Sequence, residues 1–178
     1  EEHGIVHQHR DRHRAHAARH RRDVRRPLTG SLELHIAHQL LVLKLARAHA
    51  EIARHTEATG RPLLLLSGGE LTVQVQGKGQ GGPNREYLLQ MAHSLQGAAH
   101  TWVLAADTDG IDGSDETAGG WIGPDALQRA RAQGIDIAAC LNANDTARYF
   151  RETGQDLVTG PTRTNVNDLR AILVLPKD

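Results

Sequence analysis

Three loops of this sequence concentrate residues that could do chemistry. The first, Gly77–Pro83 (GKGQGGP), holds four glycines within six residues and leads into a predicted helix. Glycine lets backbone N–H groups converge on an anion, and a helix N-terminus adds partial positive charge. The pattern predicts either a phosphate or carboxylate site, with Lys78 as a point charge, or a flexible connection between two elements.

The GKGQGG stretch also fits the G-x-G-x-x-G fingerprint of dinucleotide-binding folds, and Asp107 ends the next predicted strand. Two features count against that interpretation. The segment before the loop alternates polar and apolar residues, whereas a central parallel strand is apolar on both faces. Pro83 and Asn84, which could cap the helix, place its start after the third glycine. No Lys-Ser or Lys-Thr pair follows the glycines, so the loop is not a Walker A motif.

The second loop, Asp107–Glu116, has five carboxylates in ten residues, and we call it the acidic loop. Hard cations such as Mg²⁺ take oxygen ligands of this kind. Asp109 and Asp112 are flanked by glycines at the C-terminal end of a predicted strand, which is the end where open α/β sheets bind ligands. We expect these two carboxylates to hold or orient Mg²⁺. The alternative is that Asp112 accepts hydrogen bonds from local backbone N–H groups.

The third loop, 160–168, which we call the closing loop, is polar and lies between two apolar segments. Its amide, hydroxyl and carboxylate side chains outnumber what a single turn requires. They are Thr162, Thr164, Asn165, Asn167 and Asp168. These side chains either line a ligand site or brace the neighbouring loops.

The elements that must position these loops alternate between helix and strand. Residues 31–60 repeat apolar side chains at three- and four-residue steps, which predicts a helix with Leu41, Leu45 and Ile52 on its apolar face. Short apolar runs predict strands at 62–66, 101–107, 157–159 and 169–175, and periodicity predicts helices at about 84–95, 124–133 and 144–154. The half-polar segment 71–76 is typical of an edge strand. The sequence thus predicts a layered α/β domain with a mixed sheet over residues 61–178.

Composition excludes several classes of protein. The 178 residues carry 21 basic and 21 acidic side chains, and this zero balance argues against a nucleic-acid partner. One cysteine excludes a disulfide framework. No apolar run approaches a membrane span, and no signal-peptide pattern is present, so we expect a soluble cytoplasmic protein. Because the chain begins at Glu1 rather than Met, we expect a processed product or a fragment.

The N-terminal segment differs from the rest. Residues 1–26 hold eight arginines, six histidines and four acidic residues, with almost no large apolar side chain. Such a segment cannot bury enough surface to offset its ordering entropy. Three interpretations of 1–30 stay open. It is a disordered solvated tail, a metal-binding histidine tract, or a frame-shifted or misjoined segment that is not native coding sequence.

Several motifs in order resemble one family. The stretches LLLLSGGELTVQV, GKGQGGPNREYLL, AADTDGIDGSDETAGG, NDTARYF and GPTRTNVNDLRAILV are similar, in order and spacing, to the C-terminal (MOFRL) domain of the class II glycerate kinases. The similarity runs over residues 46–177. It implies two α/β domains in the complete protein, ATP and Mg²⁺ as cofactors, and transfer of phosphate from ATP to D-glycerate to give 2-phosphoglycerate. The larger N-terminal kinase domain, with its proposed catalytic lysine, is missing from this chain.

The resemblance also implies which residues bind substrate or nucleotide. Besides the metal positions Asp109 and Asp112, they are Ser67, Gly68, Gly69, Glu70, Lys78, Gly79, Gly81, Gly82, Asn84, Arg85, Glu86, Thr162, Thr164, Asn165, Asn167 and Asp168. Lys78 and Arg85 would meet anionic groups. Because a cleft between domains needs both walls, the chain alone is expected to be inactive, and a homo-oligomer stays open.

Two positions depart from the family pattern. Many members have arginine where this chain has Pro83, which leaves Arg85 as the nearest guanidinium. Arg163 replaces the central glycine of the closing motif, at a cost of about 1 kcal/mol or more if that position needs positive φ. Two other functions remain as alternatives: an NAD(P)-dependent hydroxypyruvate reductase, with the glycine loop on the pyrophosphate, and an inactive truncated binding module.

Overall fold

The computed structural model describes residues 29–178 except Gln74, Gln76, Asp115, Lys177 and Asp178, and over 29–40 it describes the backbone alone. The segment predicted to be a disordered tail, a histidine tract or frame-shifted sequence therefore lies, except for its last two residues, outside the described part. Its three interpretations stay predictions.

Five helices and five strands make up the described chain. The helices are α1 (Thr29–Thr59), α2 (Pro83–Leu95), α3 (Ala126–Ala132), α4 (Ile137–Ala143) and α5 (Thr146–Thr153). The strands are β1 (Leu63–Gly69), β2 (Thr101–Asp107), β3 (Gly119–Ile122), β4 (Asp156–Leu157) and β5 (Asp168–Val174). Contacts divide the chain between Leu34 and His35. The unit 35–178 holds the sheet, and of the unit 1–34 only the start of α1 is described. The division predicted at residues 30 and 60 stays a prediction.

The α/β class is confirmed, but the sheet is not mixed. Its strand order is β1-β5-β2-β3-β4, and every described pairing is antiparallel. The prediction was wrong in this respect because alternating strands and helices were taken to indicate parallel neighbours, whereas no described pair of strands is parallel. The edge strand expected at 71–76 does not form either, and its described residues Leu71, Thr72, Val73 and Val75 lie outside any strand. β1 continues through Ser67 to Gly69, three residues beyond the strand predicted at 62–66. β5 runs between β1 and β2 and reverses direction relative to both.

Helix α2 is the centre of the core. Nine of its residues are buried, including the polar run Asn84, Arg85 and Glu86. Its apolar side chains pack with Val103, Ile122 and similar residues of the sheet in one cluster. Most of the surface of α2 is buried, and its exposed residue His93 lies near the C-terminal end, so the N-terminal end has no solvated face for polar residues. The polar residues at its N-terminal end must therefore find partners inside the protein.

The opposite face of the sheet is exposed and apolar. Leu64, Leu66, Leu169, Leu173 and Trp121 are between 37% and 60% exposed. An antiparallel sheet with one solvated face normally alternates apolar and polar residues, but these strands place apolar side chains on both faces.

The buried side of α1 agrees with the predicted stripe only at Leu45, which packs partly buried against the core. Val42, Ala46 and Ala53 are buried, whereas Leu41 and Ile52 are 48% and 44% exposed. The small side chains lie inward, so periodicity located the helix but the larger side chains misled the choice of face. None of the described helices, α1 included, combines the length and apolar character that a membrane span needs.

The loop before β5 contains a strained residue. Arg163 has φ of +62° and its side chain is exposed. For a residue with a Cβ, the left-handed region costs roughly 1–2 kcal/mol. The sequence analysis expected strain at Arg163 if its φ is positive, and φ is positive here.

Arg163→Gly is expected to stabilise the protein by about 0.5–1 kcal/mol, since relief of strain exceeds the added entropy of the unfolded chain. The midpoint of thermal unfolding should rise by roughly 1–4 °C. Thr164→Gly in the same exposed loop is the control, because Thr164 is not among the positive-φ residues. It should lower the midpoint. Equal effects of the two changes would show that φ at Arg163 carries no strain.

Candidate functional site

The N-terminus of α2 is closed by a carboxylate from the acidic loop. Asp112 is 1% exposed. Its Oδ1 accepts the N–H of Asn84 at 2.8 Å, and its Oδ2 accepts the N–H of Arg85 at 3.1 Å. The N-cap position belongs to Gly82, without a side-chain hydrogen bond, so Asn84 is not the cap. The anion at this helix end is the chain's own Asp112, which complements the partial positive charge there.

The guanidinium of Arg85 completes this arrangement. Its Nε lies 3.0 Å from Asp112 Oδ2, and its Nη2 donates to the Asp112 carbonyl at 2.9 Å. Its Nη1 lies 3.7 Å from Asp156. With 1% of its surface exposed, Arg85 has its charge engaged within the protein. Burial raises the pKa of Asp112, and the hydrogen bonds and charge from Asn84 and Arg85 oppose that shift.

The glycine loop donates its N–H groups to the chain itself. The N–H groups of Gly77, Gly79 and Gln80 donate to oxygens of residues 143–145, which link α4 to α5, at 3.0–3.2 Å. Lys78 is exposed. The arrangement matches the connecting role of the loop more closely than an anion cradle, because these donors already have acceptors.

The loop needs glycine because backbones meet there. A Cβ on Gly82 would lie 2.3 Å from the carbonyl oxygen of Asp112, and one on Gly79 would lie 2.5 Å from the Cα of Asp145. These distances are far below normal contact, so no larger residue fits without moving the backbone. The glycines thus hold the acidic loop and the α4–α5 junction against the start of α2.

A second buried carboxylate fixes the other side of α2. Asp168 Oδ1 accepts Asn84 Nδ2 at 2.7 Å, and its Oδ2 accepts the N–H of Leu71 at 3.0 Å and Arg170 Nη2 at 2.5 Å. Arg170 also donates to carbonyl oxygens at the end of β1. Asp168 therefore ties together β5, α2 and the segment that follows β1.

Arg170 extends this network towards α1. Its guanidinium lies 5.5 Å from the ring centroid of Tyr87, in cation–π geometry. The Tyr87 hydroxyl lies 2.7 Å from Nδ1 of His49. Burial lowers the pKa of His49, and the charge of Arg170 lowers it further. The neutral imidazole thus belongs to the packing between α1 and α2.

Glu86 lies on the third side of α2. It is 6% exposed, and its Oε2 accepts Asn144 Nδ2 at 3.1 Å. Burial raises the pKa of Glu86, the hydrogen bond from Asn144 opposes the shift, and the charge of Asp112 adds to it. Asn144 also accepts the N–H of Gly77, so one amide joins α2 to the glycine loop.

The acidic loop and the closing loop brace each other away from α2. Asn165 Nδ2 donates to Asp109 Oδ2 at 3.1 Å, while the N–H of Ile111 donates to Asp109 Oδ1 at 2.8 Å. The Thr162 hydroxyl donates to the carbonyl of Thr108. Side chains of this loop thus serve the bracing role that the sequence left open.

One cavity lies where these elements meet. Its volume is about 540 Å³. Of the predicted site residues, eight line it: Glu70, Gly79, Gly81, Gly82, Asn84, Glu86, Asp112 and Asp168. The others do not line it: Ser67, Gly68, Gly69, Lys78, Arg85, Asp109, Thr162, Thr164, Asn165 and Asn167.

Sequence reasoning did not name five polar residues of the cavity as site residues. They are Thr72, Asp107, Ser114, Asn144 and Thr146. Thr72 lies in the segment interpreted as an edge strand, and its alternation with apolar neighbours was the available signal. Asn144 has the left-handed backbone conformation and caps the C-terminal end of α4, a helix that the periodicity did not predict.

The two predicted metal ligands are both engaged in hydrogen bonds within the chain, and their metal role stays a prediction. Both oxygens of Asp112 are engaged by α2 and Arg85, and both oxygens of Asp109 accept N–H donors. Within the described residues no group of three or more His, Cys, Asp or Glu side chains could hold a metal ion. The geometry matches the alternative, in which Asp112 accepts local N–H groups.

Comparison with known proteins gives consistent results. The MOFRL family model matches residues 63–168. A protein of Agrobacterium vitis that carries a hydroxypyruvate reductase name is 46% identical over 137 residues, which cover 74% of this chain and 31% of that protein. The glycerate kinase of Homo sapiens is 40% identical over 143 residues, which cover 76% of this chain and 27% of that protein.

A solved structure has the same fold. The crystal structure of glycerate kinase from Thermotoga maritima matches with a TM-score of 0.71 and 36% sequence identity, over 75% of this chain and 33% of that one. The chain spans about a third of the length of the relatives it matches.

Asp112→Asn is expected to destabilise the protein by about 2–4 kcal/mol, because buried Arg85 would lose its nearer counter-charge and keep the more distant Asp156. Asp136 offers a control, since it caps α4 through Ala138 and Ala139 but is exposed. Asp136→Asn should change stability by less than about 0.5 kcal/mol, because asparagine caps a helix nearly as well. Urea unfolding of both variants decides the point, and equal small effects would remove the structural role given to the Asp112–Arg85 pair.

Glu86→Gln tests the raised pKa of Glu86. The folded protein keeps a proton on this carboxyl above pH 4.5, where the unfolded chain releases it, so wild-type stability should fall as pH rises through the raised pKa. Glutamine does not titrate, so the free energy of unfolding of the variant should not fall over this pH range. Relative to the wild type it should rise by about 1.4 kcal/mol per unit of pKa shift. Unfolding measured between pH 4 and 8 should show this gain, and Glu51→Gln on the exposed side of α1 should not. A pH-independent difference for Glu86→Gln would contradict the assignment.

Proposed function

The chain belongs to the MOFRL family, and from this premise we propose that it is the C-terminal part of an ATP-dependent glycerate 2-kinase. Such an enzyme transfers phosphate from ATP to D-glycerate and gives 2-phosphoglycerate and ADP. The names of the human and Thermotoga maritima relatives support the proposal. The observation that carries it is the cavity beside α2, which gathers residues from the glycine, acidic and closing motifs.

In this proposal the chain binds and positions a ligand rather than supplying the catalytic group. Among the described residues that line the cavity there is no lysine, arginine, histidine or cysteine. Phosphoryl transfer depends on cations that stabilise the charge of the transferred group. Those cations would come from the N-terminal kinase domain, which the resemblance places outside this chain. The chain alone is therefore proposed to be inactive.

The cofactors fit this chain unequally. The cavity has the size of a small-molecule site, and its acceptor groups fit the neutral part of ATP. Mg²⁺ has no open position at Asp112, because this buried carboxylate accepts two backbone N–H groups and the Arg85 guanidinium. Each oxygen of Asp109 accepts one N–H and keeps a lone pair, so Asp109 alone could offer a ligand to a metal ion. We assign no residue of the described chain to Mg²⁺. Metal ions would supply charge stabilisation during the transfer when bound.

The alternative of a hydroxypyruvate reductase is favoured by one observation, the name of the Agrobacterium vitis relative. The loop geometry speaks against it in this chain. A pyrophosphate site needs free backbone N–H groups, whereas Gly77, Gly79 and Gln80 donate theirs to the chain. Substrate contacts at Lys78 and the closing loop, a cytoplasmic location and a homo-oligomeric state remain proposals.

A hybrid protein tests the kinase proposal. Residues 46–178 of this chain would replace the matching third of the Thermotoga maritima glycerate kinase. With ATP, Mg²⁺ and D-glycerate, the hybrid should form ADP and 2-phosphoglycerate, while the isolated chain should form none.

The controls separate loss of folding from loss of function. The intact Thermotoga maritima enzyme sets full activity, and thermal unfolding confirms that each hybrid is folded. A folded hybrid that turns over hydroxypyruvate with a nicotinamide cofactor, and not glycerate with ATP, would overturn the proposal. So would robust kinase activity of the isolated chain.

A further inference from the structure

We propose that the cavity beside α2 binds the nucleoside part of the nucleotide and leaves the phosphates outside. The hydroxyl and amino groups of the nucleoside would donate to oxygens of the cavity wall. This inference rests on the proposed kinase function, since it names which part of ATP this chain holds. It reverses the expectation that the glycine loop and Arg85 receive anionic groups.

The first argument is that the anion-binding donors are already used. The N–H groups at the start of α2 donate to Asp112, and Arg85 is paired with the same carboxylate. The N–H groups of Gly77 and Gly79 donate to the α4–α5 junction. A phosphate could recruit these donors only by displacing hydrogen bonds within the chain, and the buried acceptors among them, on Asp112 and Asn144, would each lose a donor.

The second argument is that acceptors face the cavity. Five of its residues carry carboxylates: Glu70, Glu86, Asp107, Asp112 and Asp168. Within the described part of the chain, no cation forms an ion pair with Glu70, Glu86 or Asp107. Once ionised, these carboxylates raise the energy of an anionic ligand and favour one that donates hydrogen bonds. Because burial raises the pKa of Glu86, its contribution is present only above that raised pKa.

The third argument is an acceptor without a donor. Asn84 is 1% exposed and lines the cavity. Its Nδ2 donates to Asp168, but its Oδ1 accepts no hydrogen bond from any described residue. This carbonyl oxygen is enclosed by the protein, so a ligand N–H or O–H could reach it only if the Asn84 amide moved towards the cavity. A ligand that made this contact would relieve the cost of a buried acceptor without a partner.

The fourth argument concerns shape and apolar surface. The cavity volume of about 540 Å³ lies within the roughly 300–1,000 Å³ of small-molecule sites. Leu71, Val73, Pro83 and Ile111 contribute apolar wall. A planar base needs such a wall, whereas a small polyhydroxy acid such as glycerate does not. The combination of apolar wall and acceptors therefore favours a nucleoside over glycerate.

The test measures binding to the purified 178-residue chain, without metal, by calorimetric titration and thermal unfolding. The probes are adenosine, ATP, tripolyphosphate and D-glycerate. Adenosine at ten times its Kd should raise the unfolding midpoint by about 3 °C, and ATP should bind more weakly than adenosine. Tripolyphosphate and D-glycerate should leave the midpoint unchanged.

A charge-reversal variant sharpens the test. Glu70→Arg places a cation on the cavity wall at an exposed residue with no hydrogen bond to lose. It should weaken adenosine binding at least tenfold and create binding of tripolyphosphate. Glu51→Arg makes the same charge change on exposed α1, outside the cavity lining, and should leave both affinities at wild-type values.

Three outcomes would overturn the inference. They are binding of tripolyphosphate or D-glycerate without adenosine, no binding of any probe up to about 10 mM, and equal effects of the two arginine variants. An active hybrid together with no adenosine binding would reject the inference and keep the kinase function. Adenosine binding together with a folded hybrid that lacks glycerate kinase activity would keep the site and reject the function.

Discussion

The burial of Asp112 against the N-terminus of α2 is the constraint on which the rest of the site depends. A carboxylate that is 1% exposed has lost its hydration, and only charged or strongly polar donors can compensate. Two backbone N–H groups and the Arg85 guanidinium do so here. The glycines follow from this contact, because a Cβ on Gly82 would overlap the Asp112 backbone. The glycine loop and the helix start that it precedes have the sequence of an anion site, but the anion at the helix start is the chain's own Asp112.

The same constraint sets the character of the cavity. The N–H donors near the cavity donate to the buried carboxylates Asp112 and Asp168. The polar groups left to line the cavity are therefore mainly hydrogen-bond acceptors. The run Asn84–Tyr87 distributes its partners in four directions: to β5, to the acidic loop, to the α4–α5 junction and to α1. A polar network on a fully buried helix holds several loops in one arrangement, since each unsatisfied group would be costly.

Sequence reasoning identified the class, four of the five strands and the motifs around the cavity, because apolar runs and glycine punctuation are local signals. It did not find the short strand β3, whose Gly119 and Gly120 give no apolar periodicity. It placed an edge strand at 71–76 because alternating polar and apolar residues indicate one solvated and one buried side. A segment that lines a cavity can show the same alternation. The partners of Asp112 and Asn84 lie 27 to 84 residues away along the chain, so no local pattern could assign them.

The two departures from the family pattern have different physical consequences. Pro83 is compatible with the fold, because it occupies the first turn of α2, where its fixed φ suits a helix and no N–H is needed. What it removes is a side chain at the cavity, and Arg85 cannot replace that side chain since its guanidinium is buried on Asp112. Arg163 is the reverse case, with a strained backbone in a loop outside the cavity lining. One departure therefore bears on ligand chemistry and the other on stability, and neither compensates for the other.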